Sequence, residues 1–251
     1  ARVQAIEVVQ GRASGVLLDG GERLPADSVV FNGDRAALAQ GLLGDATRAA
    51  TTAVAPDERS LSALTWSVHA PTEGFPLERH NVFFQPDYRR EFDDIFAHGR
   101  LPATPTVYVC AQNRGVPGDA APARDRLLVL VNAPPEARRT LTEPEIDACE
   151  RHSFSLLARY GLTVRRTLQN SLRTAPADFQ QLFPGSAGAL YGMPTHGWMS
   201  AFSRSGARTR IAGLYAAGGS VHPGPGVPMA AMSGQLAAAT LMAHLDSTSR
   251  S

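Results

Sequence analysis

Lysine is missing from this chain of 251 residues: all 24 basic residues are arginine. With 23 Gly, 18 Pro and many Ala beside them, this reflects coding composition rather than an arginine-specific chemistry. Cysteine is scarce. Cys110 and Cys149 make neither a metal-ligand spacing nor a disulfide framework, which points to a reducing compartment. Long apolar runs are lacking too; Leu127 to Val131, the strongest, is far too short to span a bilayer. Ala1 to Ile6 has no charged-then-apolar layout of a signal peptide. It also has no Met and reads as the middle of a strand, so a piece of a longer polypeptide is expected. Acidic residues vanish between Phe179 and Leu245. Residues 1–150 hold 15 Arg and 21 acids, a net of −6, whereas residues 151–251 hold 9 Arg and 2 acids, a net of +7. An acid-free segment suits an anionic ligand such as a pyrophosphate; a solvated face is the plainer alternative.

The common catalytic signatures are also absent. There is no Gly-x-Ser-x-Gly elbow, no Walker loop and no His-Glu-x-x-His, and the seven histidines never fall at metal spacing. No metal site is therefore expected. Basic and aromatic residues do not interleave, which argues against a nucleic-acid partner. An N-terminal Gly-x-Gly-x-x-Gly after a strand is missing, so a complete dinucleotide fold is not present.

What remains is an ordinary globular composition, 43% hydrophobic and 19% charged, long enough for one large domain or two smaller ones. Val3 to Val9 and Gly15 to Leu18 read as strands, Asp19-Gly20-Gly21 as a hairpin turn, and Ala26 to Phe31 as a further strand. Asp34 is placed to cap a helix through Leu43. Strands are expected at 61–70, 81–84, 106–110 and 126–131. Asp87 precedes a helix whose Tyr88, Phe92, Ile95 and Phe96 share a face, stopped by Gly99. Thr142-Glu-Pro-Glu145 is a capping-box pattern that predicts a helix to Tyr160. Thr163 to Leu168 is strand-like, 174–183 a short helix, and 185–212 mostly loop.

The most informative stretch is Gly213 to Met229, GLYAAGGSVHPGPGVPM. An apolar strand stops at Gly218-Gly219, a Gly/Pro loop follows, and Pro228 opens a helix to Leu245. Strand, tight turn and helix bring bare backbone amides up to an anion; an ordinary strand-to-helix turn is the alternative.

This stretch resembles the C-terminal signature of the bacterial-type carotenoid desaturases, the flavoproteins that include phytoene desaturase. The resemblance extends to Ile6–Asp34, to His80–Phe96, to Thr104–Cys110, to Ala121-Pro122, to Thr174–Phe179 and to Gly185–Gly192. Within that family the elbow is most similar to hydroxyneurosporene and methoxyneurosporene desaturases. The resemblance implies a mixed α/β fold, the C-terminal portion of a two-domain, Rossmann-type flavoprotein of the amine-oxidase kind. Residues 1–34 and 185–251 would belong to the FAD-binding domain and 35–184 to the substrate domain. Gly218, Gly219, Ser220, Gly224, Gly226, Val227 and Met229 would face FAD, and His222 is the candidate proton acceptor, a loop histidine bonded to backbone being the alternative. Phe83, Phe84, Tyr88, Phe92 and Phe96 would line a substrate channel, or else form core. The implied reaction places a double bond, the 3,4 bond, in a 1-hydroxy- or 1-methoxy-carotenoid. A phytoene desaturase, another amine-oxidase-type enzyme and a redox-inactive lipid- or partner-binding fragment stay open as alternatives. The implied location is cytoplasmic, peripheral to the inner or photosynthetic membrane, with Arg151 to Ala177 against anionic headgroups or simply solvated. The family's Arg-Pro pair before the last strand is here Arg204-Ser205, which leaves the role of Arg204 open.

Overall fold

The computed structural model describes residues 1–55, 58–115, 122–136, 139–193 and 204–248, so Ala121 lies outside the described residues. The chain separates into two compact units, residues 1–60 with 180–251, and residues 61–179. The sequence reading divides it at 34/35 and 184/185.

The first unit begins with β1 (Val3–Val9) and β2 (Arg12–Leu18), an antiparallel hairpin closed by Gln10 and Gly11, both at positive φ. Such a two-residue turn matches the twist of the strands it joins. Gly20 and Gly21 make the next turn, and β3 (Arg23–Pro25) pairs back on β2. After β4 (Val29–Phe31), Asp34 caps α1 (Arg35–Ala39), its Oδ1 accepting the Ala36 N–H at 2.8 Å. This helix stops short of Leu43 because Gly41, at φ 73°, turns the chain.

The second unit holds β5 (Ser62–Ala70), β6 (Thr72–Gly74), β7 (His80–Phe83), α2 (Tyr88–Phe92), β8 (Val107–Ala111), β9 (Asp125–Ala133), α3 (Glu143–Arg159), β10 (Leu162–Val164) and β11 (Ser171–Thr174). A π turn, Asp93–Ala97, prolongs α2. Five strands form an antiparallel sheet in the order β11-β5-β9-β8-β7. Alternation puts Leu64, Trp66, Val68, Val107, Val109, Val129 and Val131 into one core with Ile146, Leu156 and Leu157 of α3. The opposite face of this sheet carries Val82, Tyr108, Cys110, Leu128, Leu130 and Leu172, none fully buried. The strand expected over 163–168 ends at Val164. Asn170 turns the chain there, its Oδ1 accepting the Thr167 N–H at 2.7 Å.

After α4 (Pro176–Leu182), the chain returns to the first unit with β12 (Leu214–Ala216) and α5 (Val227–Thr248). β12 pairs parallel with β4, Leu214 opposite Val29. Ile6, Ala13, Leu38, Ala50, Ile211 and Leu214 form the core of this unit. The fold is a mixed α/β one, with both parallel and antiparallel pairing.

Candidate functional site: the elbow between β12 and α5

The site starts where β12 ends. Ala217 donates its N–H to Phe31 O at 3.0 Å, and the Gly218 N–H donates to the Ser233 hydroxyl of α5 at 3.1 Å. Gly218 is at φ 114°, in the left-handed region, and a Cβ there would press on Asn32 Nδ2 at 3.2 Å. That Asn32 amide donates to Ala217 O at 3.3 Å. The strand end is therefore fixed from both sides, and only glycine fits it. Val221 is buried and donates its N–H to Gly218 O, which folds the loop back. His222 is half-buried at the bend; its backbone N–H donates to Ser205 O at 3.0 Å, and the His222–Pro223 bond is cis.

Arg204 organises this loop. It is buried, with Nη1 donating to Tyr191 O at 3.0 Å and Gly219 O at 3.3 Å, and Nη2 to Met193 O at 2.8 Å. Gly224 lies directly against it; a Cβ there would sit 3.2 Å from Arg204 Nε. Ser205 contributes its carbonyl to this arrangement, which any residue supplies.

The amides left over define what the elbow can do. Among the described residues, no acceptor takes the N–H of Gly219, Ser220, Gly224, Gly226, Val227 or Met229. Gly226 has nothing within 4 Å of where a Cβ would stand, and Val227 is 86% exposed. The start of α5, a helix of 22 residues, thus presents unpaired donors and the positive end of its dipole to an open surface. An anionic or oxygen-rich group fits such a surface. Structure therefore brings Gly218, Gly219, Ser220, Gly224, Gly226, Val227 and Met229 into one elbow. Arg204, whose role the sequence left open, and Ser233, which carries no sequence signal, hold it.

The other expected residues divide. Phe83 is core, packed on Phe75 and Tyr160, so it lines no channel. Phe84, Tyr88, Phe92 and Phe96 form a ladder of ring contacts, with centroids 5.9, 5.0 and 6.3 Å apart, and Phe84 and Tyr88 stand exposed. The acid-free run from Arg151 to Ala177 is not free of acids in space. Arg165 forks onto Glu73, Arg166 pairs with Glu150 and lies over the Phe154 ring, and Arg173 binds Glu143 and Asp147. These pairs leave less charge for headgroups than the linear sequence suggests. Among the described residues no three His, Cys, Asp or Glu side chains gather around a metal position, and no helix is long and apolar enough to cross a membrane.

No family model matches the chain. A hydroxyneurosporene desaturase of Rubrivivax gelatinosus is 61% identical over 249 residues, covering 99% of this chain and 47% of that protein. This stretch of sequence is homologous to about half the length of the hydroxyneurosporene desaturases. A second desaturase of that name, from Cereibacter sphaeroides, is 44% identical over 240 residues, 96% of this chain and 48% of its own length. The chain spans about half the length of these curated relatives. Among solved structures, an oxidoreductase from Methanosarcina mazei aligns with a TM-score of 0.47 and 18% identity, over 93% of this chain and 48% of its own.

Proposed function

We propose that this chain is the elbow-bearing half of an FAD-dependent desaturase that forms a carbon–carbon double bond, the 3,4 bond, in a 1-hydroxy- or 1-methoxy-carotenoid. The observation that carries the reading is the 61% identity to a hydroxyneurosporene desaturase across the elbow and both units. The unpaired amides supply its physical basis. The first unit would serve the cofactor and the second the substrate.

Gly219 and Ser220 would present their amides to ribityl or diphosphate oxygens, while Gly218, Gly224 and Gly226 keep side chains out of the way. The amides of Val227 and Met229 would face the flavin pyrimidine oxygen, with Pro228 setting the helical entry. When bound, FAD supplies the acceptor for the hydride that leaves one carbon of the substrate. The N-terminus of α5 would stabilise negative charge at the pyrimidine edge, because its donors are already aimed and need not reorganise. The second hydrogen leaves as a proton, for which His222 is the candidate acceptor. Conjugation in the polyene spreads the developing positive charge, so no strong acid is needed. Holding a long apolar chain and excluding water fall to apolar surface, for which Leu128, Leu130 and the ring ladder from Phe84 to Phe96 are available. Because the substrate dissolves in lipid, the reading includes peripheral contact with the membrane that holds it.

The test is expression of a full-length protein carrying this chain in hosts that accumulate candidate carotenoids, hydroxyneurosporene among them, followed by identification of the pigment. A product with one further conjugated double bond is expected. Pigment unchanged in every host overturns the proposal.

A further inference from the structure

A second polar feature of the first unit adjoins the elbow and shares Arg204 and Ser220 with it. Arg35, Arg59 and Arg204 line one cavity of about 240 Å³, together with Asp34 and Ser220. Arg59 is 4% exposed and Arg204 6%. Their negative partners are few. Arg59 Nη1 lies 3.4 Å from both oxygens of Asp34, and Asp34 is also committed to the Ala36 N–H. The other carboxylate at the rim, Glu58, is exposed and accepts from the Ala55 N–H. Among the described residues, every remaining guanidinium bond goes to a neutral acceptor: Arg59 to Gly185 O at 2.9 Å, Arg35 to Gly206 O at 2.8 Å and to the Thr51 hydroxyl at 3.0 Å, and Arg204 to its three carbonyls. Arg35 Nε is buried with no acceptor among the described residues.

Among the described residues, three cations thus line the cavity with one inward carboxylate. Burial lowers the pKa of Arg35, and the charge of Arg210 adds to it; burial also lowers that of Arg204, which Asp34 partly offsets. Guanidinium nevertheless stays protonated in a protein. The excess positive charge therefore persists, and an entering anion relieves it. A carbonyl-lined arginine keeps its charge available, whereas one locked to a carboxylate does not.

We infer that this cavity binds a phosphate-type anion, drawn by the Arg35, Arg59 and Arg204 charges that line it. Planar guanidinium forks match phosphate oxygens well, and the Ser220 hydroxyl, which accepts the Arg35 N–H at 3.3 Å, keeps its own proton to donate. The anion could be the diphosphate of the cofactor or the phosphate of a lipid headgroup. Only the first source rests on the flavoprotein reading; the charge argument stands without it.

The test uses a full-length protein carrying this chain, with Arg35→Gln and Arg35→Lys compared. Inorganic pyrophosphate is titrated calorimetrically, at low and high salt. Binding that weakens with salt, falls at least about tenfold in Arg35→Gln and partly returns in Arg35→Lys supports the inference, since one bond to a charged group is worth roughly 1.5–3 kcal/mol. Two further arms name the source. If affinity for FAD falls in Arg35→Gln while affinity for riboflavin, which has no phosphate, does not, the ligand is the cofactor diphosphate. If instead cosedimentation with phosphatidylglycerol vesicles falls, it is a lipid phosphate. A wild-type protein that binds no pyrophosphate, or an Arg35→Gln protein of native circular dichroism that binds it equally well, overturns the inference. Failure of the flavoprotein reading is distinct: no form would take up flavin, yet pyrophosphate binding would persist.

Discussion

Arg204 joins Tyr191, Met193 and Gly219 through three carbonyls, so its removal strands several acceptors away from water at once. Arg204→Met keeps the length and the apolar stem but none of the donors. It is expected to lower stability in urea by about 2–4 kcal/mol, less than three separate bonds because such losses are not additive. Arg204→Lys is expected to recover part, since an ammonium lacks the fork that spans diverging carbonyls. An unchanged urea midpoint for Arg204→Met would show that the loop does not depend on it. The two cysteines differ just as sharply. Burial pushes the Cys149 thiol up to about 12, only partly opposed by its hydrogen bond with Ser153. Cys149 should therefore resist a thiol reagent at neutral pH until the protein unfolds, while the half-buried Cys110 labels first. Equal labelling of both in the native protein would contradict this burial. Glycines of the elbow were legible because a backbone requirement shows in residue type. Ser233 was not, since a small helical serine looks like any other until the chain folds, and Arg204 stood out only through the resemblance, which left its role open.

Element by element, α3 is the clearest case of local chemistry deciding structure. Glu145 accepts from the Thr142 N–H and hydroxyl at 2.9 and 2.8 Å, and Arg139 forks onto it at 2.9 and 2.6 Å. Arg139 first, then Thr142, holds the Glu145 carboxyl down at about 2. A depressed carboxylate stabilises the fold above its unfolded value near 4.5, and that contribution fades as pH falls toward 2. Because its side chain is more than a third exposed, the effect is reduced by solvent screening. Glu145→Gln should flatten the loss of stability between about pH 4.5 and 2 relative to wild type, read from urea midpoints at each pH. Identical pH profiles would show that the box is formed without energetic consequence. The four-residue capping pattern made this helix readable beforehand. β10 was readable only within a longer strand expected over 163–168, and β11 was not, as each has only three or four residues and is held by its neighbour, β6 or β5, far away in sequence. The ring ladder along α2 follows the expected helical spacing, but the face is half exposed, and periodicity alone does not tell which side of a helix meets the core.

At the scale of the molecule, the sequence reading divides the chain at 34/35 and 184/185, whereas its compact units divide at 60/61 and 179/180. The end of β4 at Asn32-Gly33 looks like a boundary, yet Leu38 and Ala50 are completely buried and share a core with Ile6 and Leu214, which draws residues 35–60 into the first unit. The second unit is a continuous segment with its own core, from Trp66 to Leu157, so residues 61–179 expressed alone should unfold cooperatively in urea; a gradual, featureless transition would show that its sheet needs the rest of the chain. The first unit carries the opposite property. α5 carries an apolar surface: among the described residues, Met229, Met232 and Leu236 follow one another at helical spacing, all exposed, with Met242 exposed further along. An exposed stripe of this kind marks a surface for further polypeptide, and the relatives are about twice as long. The 251-residue chain by itself is therefore expected to bind a hydrophobic dye and to self-associate. Met232→Lys with Leu236→Lys should reduce both without loss of helical signal, because neither side chain is buried. In a full-length protein the same pair should instead weaken folding, as lysines would be forced into a covered surface. A dye-silent, monomeric chain, or a full-length protein indifferent to the pair, would mean that α5 is a bare solvent-facing helix and that its amides alone, not its flank, serve the site.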